Sequence, residues 1–315
     1  MTARPRLLWF WPERDRYRPA PAWAMYRRVA QGLGADFDAV SVDDVTLATT
    51  DAGSTAFVRG RPVDRGSTVI NNKIYTWPAF VPDIWRSLAA FRRLRAAGYL
   101  LMHDDALNLL AHDKAATLAD LAGVAGPVLP TVAVETRQLD RLPEHVLPSA
   151  GIDFPVMMKP GQWGGGMGAV RARDAAELTM AIRLASSAEL SIVVQPLLPT
   201  SVVDIRVYCL EGRPLLSAFR TAGEGQTVAN LAGGGRAWLD DVPERLRDRA
   251  SAAAARCGAD WMAVDFLSDG PRDFLSEIEI DPYMSDDHFP DDRSRYESMM
   301  RARLRLALER LEAHR

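Results

Sequence analysis

The sequence predicts an α/β (α+β) protein built from two or three packed units around a shared cleft, and three observations lead there. The chain has 315 residues, more than the roughly 100–200 that one core usually organises. It opens with an apolar run, an amphipathic stretch and a second apolar run, the pattern of strand, helix and strand. From Leu129 it changes to short apolar runs separated by glycine and turn residues, and it closes on an arginine-rich helical segment. There is no internal repeat and no low-complexity segment.

In order, residues 7–11 read as a buried strand, 22–33 as an amphipathic helix ended by Gly34, and 36–42 as a second strand. Residues 68–71 make a short apolar strand that ends at Asn71-Asn72-Lys73. The carboxyl end of a strand is the usual ligand edge of an open parallel sheet. These elements define a first αβ unit over residues 1–98. A strand at 99–102 and a helix at 105–121, which carries Lys114, open a central unit over 99–198. It continues with strands 129–134 and 154–159, a glycine-rich loop, strand 169–173, helix 175–185 and strand 190–198. A third unit, 199–315, begins with a hairpin, 203–210 and 214–220, turning at Glu211-Gly212. Helix 243–257 follows, with Asp241 as its expected N-cap and Gly258 just past its end. Strands 261–267 and 274–281 precede the closing helix.

Charge and cysteine content exclude several classes. A net charge of -3, a pI near 6.0 and the lack of any lysine-rich run leave no field to grip nucleic acid. The arginine clusters Arg92-Arg93-Leu94-Arg95 and Arg301-Ala302-Arg303-Leu304-Arg305 read as solvated helix faces. Cys209 and Cys257 make no disulfide framework and have no metal-ligand spacing, which fits a reducing cytoplasm. The N-terminal apolar run is too short for a signal core. No run of about 18 apolar residues occurs, so neither export nor a membrane partner is expected.

Only three of the 38 basic residues are lysines, Lys73, Lys114 and Lys159. Lysine kept against such a bias toward arginine points to a compact point charge in tight contact, such as one on a phosphate oxygen. Lys159 ends an apolar run and opens Lys159-Pro160-Gly161-Gln162-Trp163-Gly164-Gly165-Gly166-Met167-Gly168. A Walker loop or dinucleotide fingerprint needs glycines that open a helix, whereas these glycines lead into a strand. The loop therefore reads as a flap over phosphates.

The second feature is acidic. In Leu275-Ser276-Glu277-Ile278-Glu279-Ile280-Asp281, strand alternation puts Glu277, Glu279 and Asp281 on one face and the isoleucines on the other. Asp265 interrupts the otherwise apolar Met262-Ala263-Val264-Asp265-Phe266-Leu267, a costly placement without a partner. If the two strands pair, the carboxylates share one patch and call for something positive among them. Oxygen-only donors favour magnesium, with manganese as substitute. The bland alternative is a wet acidic edge strand.

These pieces in this order resemble the ATP-grasp superfamily, within it the glutathione synthetase and ribosomal-protein glutamate ligase branch, over residues 99–283. The most specific stretch is Asp204-Ile205-Arg206-Val207, the hairpin, Arg220, and then Asn230-Leu231-Ala232-Gly233-Gly234-Gly235. Asp113-Lys114 and Lys159-Pro160 match the family's two nucleotide lysines, and Glu277-x-Glu279 before Pro282 resembles its Glu-x-Asn metal strand. The resemblance implies three subdomains with the nucleotide between the central and C-terminal ones. It also implies an ADP-forming ligase that joins a carboxylate and an amine through an acyl phosphate, acting on a small amino acid or peptide.

In that scheme Lys114 and Lys159 hold the α- and β-phosphates while Gly164, Gly165 and Gly166 cover the transferred phosphoryl group. Backbone groups of Gln195 and Leu197 read adenine, with Asp204 nearby. Asp265, Glu277 and Glu279 carry two magnesium ions, and Arg206, Arg220 and Asn230 face the γ-phosphate and the activated carboxyl. Glu279 stands where the family has asparagine, which leaves open whether Glu279 or Asp281 is the inner ligand. Trp163 is bulkier than the family's usual loop residue and reads either as a substrate-shaped lid or as inward packing. Lys73 falls where related enzymes meet the acceptor. His103 and His112 flank the Lys114 helix and His288 sits in an acidic loop; none is assigned a catalytic role. The rival readings are an intramolecular ring-closing ligase, a ligase modifying a ribosomal peptide, a small-molecule kinase, and an ATP-binding protein that has lost catalysis. A homo-oligomer is compatible with all of them.

Overall fold

The computed structural model of the chain describes residues 3–12, 20–76, 84–134, 142–187, 190–223, 235–282 and 288–315. The chain divides into two compact units, Met1–Asn108 with Tyr283–Arg315, and Leu109–Pro282. No helix among the described residues is long and apolar enough to cross a membrane.

The first unit is built on strand β1 (Arg6–Phe10), helix α1 (Ala20–Gly32) and strand β2 (Asp36–Val40). Strands β3 (Val45–Thr50), β4 (Gly53–Val58) and β5 (Arg61–Val63) follow, then β6 (Thr68–Asn71), α2 (Ile84–Ala96), β7 (Leu100–Leu101) and α3 (Asp105–Ala111). The main sheet has the order β2-β1-β6-β7, all parallel. Its faces are sorted by alternation along β1. Trp9 packs on Tyr26 of α1 and on Phe37, at ring separations of 5.6 and 5.5 Å. Leu8 and Phe10 instead join Leu88, Phe91 and Leu94 of α2, with Phe10 edge-on to Phe91 at 5.0 Å. The two crossover helices therefore cover opposite faces, as right-handed connections require when the chain winds outward in both directions.

Strands β3, β4 and β5 form a small antiparallel sheet absent from the sequence reading. Their apolar alternation is brief, Val45 and Leu47 on β3 and Ala56 and Val58 on β4 among threonine, serine and glycine, too short a pattern to mark a strand alone. The sheet is tied in by the buried Tyr99 hydroxyl, which accepts from Ala56 N at 2.9 Å and donates to Val63 O at 2.7 Å.

The C-terminal helix Arg293–His314 packs against α1 and β6. It thus belongs to the first unit, which corrects its placement with residues 199–315. Arg303 is 3% exposed, so the arginine cluster around it is not a wholly solvated face. Its guanidinium lies 4.7 Å from the Trp9 ring centre and donates to Tyr26 Oη at 3.3 Å and Asn71 Oδ1 at 3.2 Å. A flat, weakly hydrated cation tolerates such burial where an ammonium would not.

The second unit begins with α4 (Lys114–Leu121), β8 (Val132–Val134), a single helical turn α5 (Leu147–Ser149), β9 (Val156–Pro160), β10 (Val170–Ala172), α6 (Ala175–Ser187) and β11 (Ile192–Pro196). It continues with β12 (Val203–Leu210), β13 (Arg213–Thr221), β14 (Arg236–Asp240), α7 (Glu244–Cys257), β15 (Trp261–Ser268) and β16 (Asp273–Glu279). These strands make two antiparallel sheets, β10-β9-β11-β8 and β14-β13-β12-β15-β16. The first sheet buries Val156, Met158 and Val194 against Leu178, Ile182 and Ala185 of α6. The second lies against α7, which buries Leu246, Ala250, Ala253 and Ala254.

Two local expectations change here and one holds. Helix α7 starts at Glu244 with Pro243 in the N-cap position and no side-chain cap, so Asp241 does not cap it. Gly258 does end it, at φ +62. The strand expected from Leu129 is confined to β8, because Leu129 N bonds to Leu275 O and Leu275 N to Pro127 O, tying that segment to β16.

Candidate active site

The charged residues singled out on the hairpin and acidic strands fall on one face of the five-stranded sheet. Register pairs Asp204 with Arg220, Arg206 with Asp265 and Asp265 with Glu277, while Glu279 sits opposite Ala263. Alternation then carries Ile205, Val264 and Ile278 to the other, buried face. The result is a row of charge across β13, β12, β15 and β16, in which the arginines meet acids on β12 and β15 and the acids Asp265 and Glu277 stand side by side.

Its centre is a buried ionic knot. Arg206 Nε donates to Asp265 Oδ1 at 2.8 Å and Arg206 NH2 donates to Oδ2 at 2.6 Å, a bidentate pair. Arg220 NH2 donates to Asp204 Oδ1 at 2.8 Å and to Asp265 Oδ2 at 2.9 Å. Asp265 is 1% and Arg206 7% exposed. Burial alone would raise the Asp265 carboxyl, but the two guanidiniums hold it below the ordinary aspartate value. Arg206 stays charged for the reciprocal reason: burial opposes its charge and Asp265 outweighs burial. Asp204 behaves differently. Burial pushes it up to about 6, Arg220 opposes this, and the neighbouring Asp265 charge adds to it. Arg220 Nε is buried with no hydrogen-bond partner among the described residues.

The lysines come from the other elements of this unit. The helix expected over 105–121 is broken at His112-Asp113, because Asp113 adopts an extended backbone and caps α4, its Oδ1 accepting from Ala116 N at 2.9 Å. Helix α4 lies against β16, and its first residue, Lys114, has Nζ 3.8 Å from Glu277 Oε2. Lys114 Nζ also donates to the carbonyl of Trp163 in the glycine loop, and Lys114 N donates to Gly161 O at 3.1 Å. Lys159, on β9, donates to Gln195 Oε1 at 2.9 Å, and Gln195 Nε2 donates to Thr131 Oγ1 at 2.8 Å. Burial lowers the Lys159 ammonium below the ordinary lysine value, Lys114 adding to the shift while Glu277 and Asp204 oppose it.

The glycine loop joins β9 to β10 as a hairpin connection, between two strands as its sequence requires. Gly165, Gly166 and Gly168 have φ +67, +71 and +69, a region costly for other residues. At Gly168 a Cβ would stand 2.7 Å from Pro160 Cγ and 3.1 Å from Trp163 Cε3. Trp163 thus packs over the base of the loop and is half-buried.

The remaining site residues divide as follows. Asn230 and the Asn-Leu-Ala-Gly-Gly stretch lie outside the described residues. Leu197 N–H is committed to Pro155 O at 3.1 Å, so the expected role of this backbone group narrows to its carbonyl. Gln195, 1% exposed, contributes its side chain as the holder of Lys159, a role unseen in the sequence. Among the described residues no three His, Cys, Asp or Glu side chains gather to hold a metal. Of the expected set of Asp265, Glu277 and Glu279, both Asp265 oxygens accept from arginine. Glu277 and Glu279 stay on the strand face, whereas Asp281 leaves β16 and its N–H donates to Glu279 Oε1 at 3.1 Å. Lys73 and His103 belong to the first unit, where His103 is 2% exposed and its Nε2 lies 3.0 Å from Asn71 Oδ1. His288 is exposed, beside Phe289.

No family model and no curated protein matches the chain. Solved structures do. The crystal structure of D-cycloserine synthetase DcsG superposes with a TM-score of 0.68 at 17% identity, covering 95% of this chain and 99% of that one. ATP-grasp ligase PsnB, complexed with minimal precursor, Mg and ADP, gives 0.64 at 16%, covering 96% and 98%. D-alanyl-alanine synthetase A from Vibrio cholerae gives 0.60 at 13%, covering 90% and 91%. Over nearly its whole length, this chain has the fold of the ATP-grasp ligases.

Proposed function

We propose that the chain is an ATP-dependent carboxylate–amine ligase that forms an amide through an acyl phosphate, on a small amino acid or peptide. The observation that carries this is the charged row of the five-stranded sheet together with two buried or half-buried lysines and a glycine hairpin in the same unit. The fold is that of proteins named as synthetases and ligases, one of them solved with Mg and ADP.

The chemistry requires such a face. A carboxylate resists attack by an amine because its leaving group would be oxide, so it is first phosphorylated. One carboxylate oxygen attacks the γ-phosphorus, the bond to ADP breaks, and the acyl phosphate forms. The amine then adds to the carbonyl carbon and loses a proton, and inorganic phosphate departs. Negative charge builds in both steps, and fixed cations in a dry site stabilise it without reorganisation.

In this reading Lys114 and Lys159 bind the α- and β-phosphates, and Gln195 and Thr131 hold Lys159 in place. The Leu197 carbonyl meets adenine with Asp204 nearby, and the nucleotide lies between the unit's two sheets. Arg206, Arg220 and Asn230 face the γ-phosphate and the substrate carboxyl; the buried Arg220 Nε is a donor suited to such an oxygen. Glu277 and Glu279 are the hard oxygen donors placed for magnesium, or manganese in its stead, with Asp265 holding the arginines behind them. Magnesium held there would supply neutralising charge to the phosphate groups. The hairpin of Gly164, Gly165 and Gly166, latched through the Trp163 carbonyl by Lys114, excludes water, which would otherwise hydrolyse the acyl phosphate. The partners proposed are small molecules in the cytoplasm, with no nucleic acid and no membrane; a homo-oligomer is compatible.

The test is incubation with ATP, magnesium and pools of D- and L-amino acids and short peptides, with hydroxylamine as trap. A hydroxamate detected by mass spectrometry supports carboxylate activation. A phosphorylated product without hydroxamate refutes the ligase reading in favour of a kinase.

A further inference from the structure

The parallel sheet of the first unit ends at β2, and a cleft of about 420 Å³ opens along that edge. Its walls come from opposite faces of the sheet. Helix α1 packs on the face that carries Trp9 and Phe37, and it contributes Arg27 and, one turn later, Gln31. The small antiparallel sheet packs with Leu8, Phe10 and Val40 on the other face, and its strand β5 contributes Arg61. Strand β2 itself lies between the two walls.

The bonds at the ends of β2 show which way its backbone groups point. Asp36 N donates to Pro5 O at 2.9 Å, and Val40 O accepts from Trp11 N at 2.7 Å. Bonding residues alternate along a strand, so Asp36, Asp38 and Val40 bond to β1 while the N–H and C=O of Phe37 and Ala39 point outward. Ala39 O accepts from Arg59 NH2 at 3.0 Å, as that direction requires. Among the described residues the N–H groups of Phe37 and Ala39 and the carbonyl of Phe37 have no partner.

Charges often guard such an edge against pairing. Here the acids are already neutralised: Asp36 by Arg4 at 3.2 Å, and Asp38 by Arg6 at 3.1 Å and Arg59 at 3.4 Å. Arg27 and Arg61 are exposed and make no ion pair or hydrogen bond among the described residues. The cleft therefore carries one uncompensated guanidinium on each side of an open strand edge.

We infer that the β2 edge docks an extended segment of a partner protein that carries two consecutive acidic residues. The segment adds a strand: Phe37 N–H and Ala39 N–H donate to its carbonyls, and Phe37 C=O accepts from it. Successive side chains of a strand point to opposite faces. Adjacent carboxylates thus meet Arg27 on the α1 side and Arg61 on the β5 side, with the Gln31 amide as a further donor beside Arg27. A compact anion makes no strand ladder. The ligase reading rests on the second unit and is independent of this surface.

The test is fluorescence anisotropy of the full chain with a labelled peptide of about eight residues, threonine and valine around two central glutamates. Controls are the same peptide with two glutamines and one N-methylated at both glutamates. The glutamate peptide is expected to bind, and more weakly as salt is raised. The glutamine peptide should bind at least about fivefold more weakly, and Arg27→Ser and Arg61→Ser should each cost about two- to fivefold, as exposed ion pairs do. Neither substitution should move the unfolding midpoint, since both side chains are exposed. The inference is overturned if no peptide saturates the signal, if the glutamine peptide binds equally, or if the double arginine variant binds like the parent. Equal binding of the N-methylated peptide, or equal displacement by inorganic phosphate at matched concentration, overturns it in favour of a compact-anion site. A dimer in sedimentation that Arg27→Ser/Arg61→Ser dissociates overturns it in favour of a second copy of this chain.

Discussion

Replacing Asp265 with asparagine keeps the shape of the side chain and removes its charge, which makes it a direct probe of the ionic knot. Three hydrogen bonds from two guanidiniums end on this carboxylate. In the variant one oxygen becomes an amide NH2, a donor facing donors. Arg206, 7% exposed, is left with no carboxylate in bidentate register. Removing one partner of a buried pair costs about 3–5 kcal/mol, because the surviving charge remains desolvated. That is a large part of a total stability of about 5–15 kcal/mol, and in urea it lowers the midpoint by about 1–2 M. The double variant Arg206→Met/Asp265→Leu, which removes both charges and keeps apolar volume, should recover most of the loss. Equilibrium urea unfolding followed by circular dichroism reads both. If Asp265→Asn unfolds within about 0.5 kcal/mol of the parent, less than an ordinary hydrogen bond contributes, the knot is not as described.

Four further outcomes follow from the same unit. Asp204, at about 6 in the folded chain against about 3.9 when unfolded, binds its proton more tightly folded, so its contribution to stability falls as pH rises from about 4 to about 6. The unfolding free energy of the parent minus that of Asp204→Asn should therefore drop by about 2–3 kcal/mol across that window; a flat difference refutes the shift. Lys159→Met should weaken ATP-analogue binding about tenfold or more, and Gln195→Leu by a smaller factor; equal affinity by fluorescence titration would remove Lys159 from the nucleotide site. Gly168→Ala forces a Cβ to 2.7 Å from Pro160 at φ +69, so it should destabilise by at least about 1–2 kcal/mol, read as a lower thermal midpoint. Trp163→Ala should raise ATP hydrolysis that is uncoupled from amide formation, because the flap then admits water; an unchanged ratio of phosphate to amide refutes the lid.

Much of the face was readable because its information is local. The hairpin of β12 and β13 follows from alternation around Glu211-Gly212, and once β15 and β16 pair, the same alternation brings Asp265 beside Glu277. The glycine loop between two strands needed only the apolar runs on either side of it. Where several tertiary partners competed, local pattern misled. The helix over 105–121 looked continuous because both halves are amphipathic, and only the cap that Asp113 makes for Ala116 shows why it must stop. Asp265 in its apolar strand called for a positive partner without naming one, and the structure supplies Arg206 and Arg220 on neighbouring strands, which a one-strand reading does not weigh.

By itself the sequence determined which chemistry is on offer: three lysines kept among arginines, glycines that lead into a strand, and acids at strand spacing. Composition and period-2 or period-3.6 patterning are properties of neighbours along the chain, so they survive without a fold. Tertiary structure alone decided which charges neutralise one another, that Gln195 holds Lys159, that Leu197 N–H is already bonded to Pro155, and that the terminal helix buries Arg303 over Trp9. Each of these depends on register and crossover between segments far apart in sequence. A one-residue slip in register turns a side chain to the other face, and no local pattern records it.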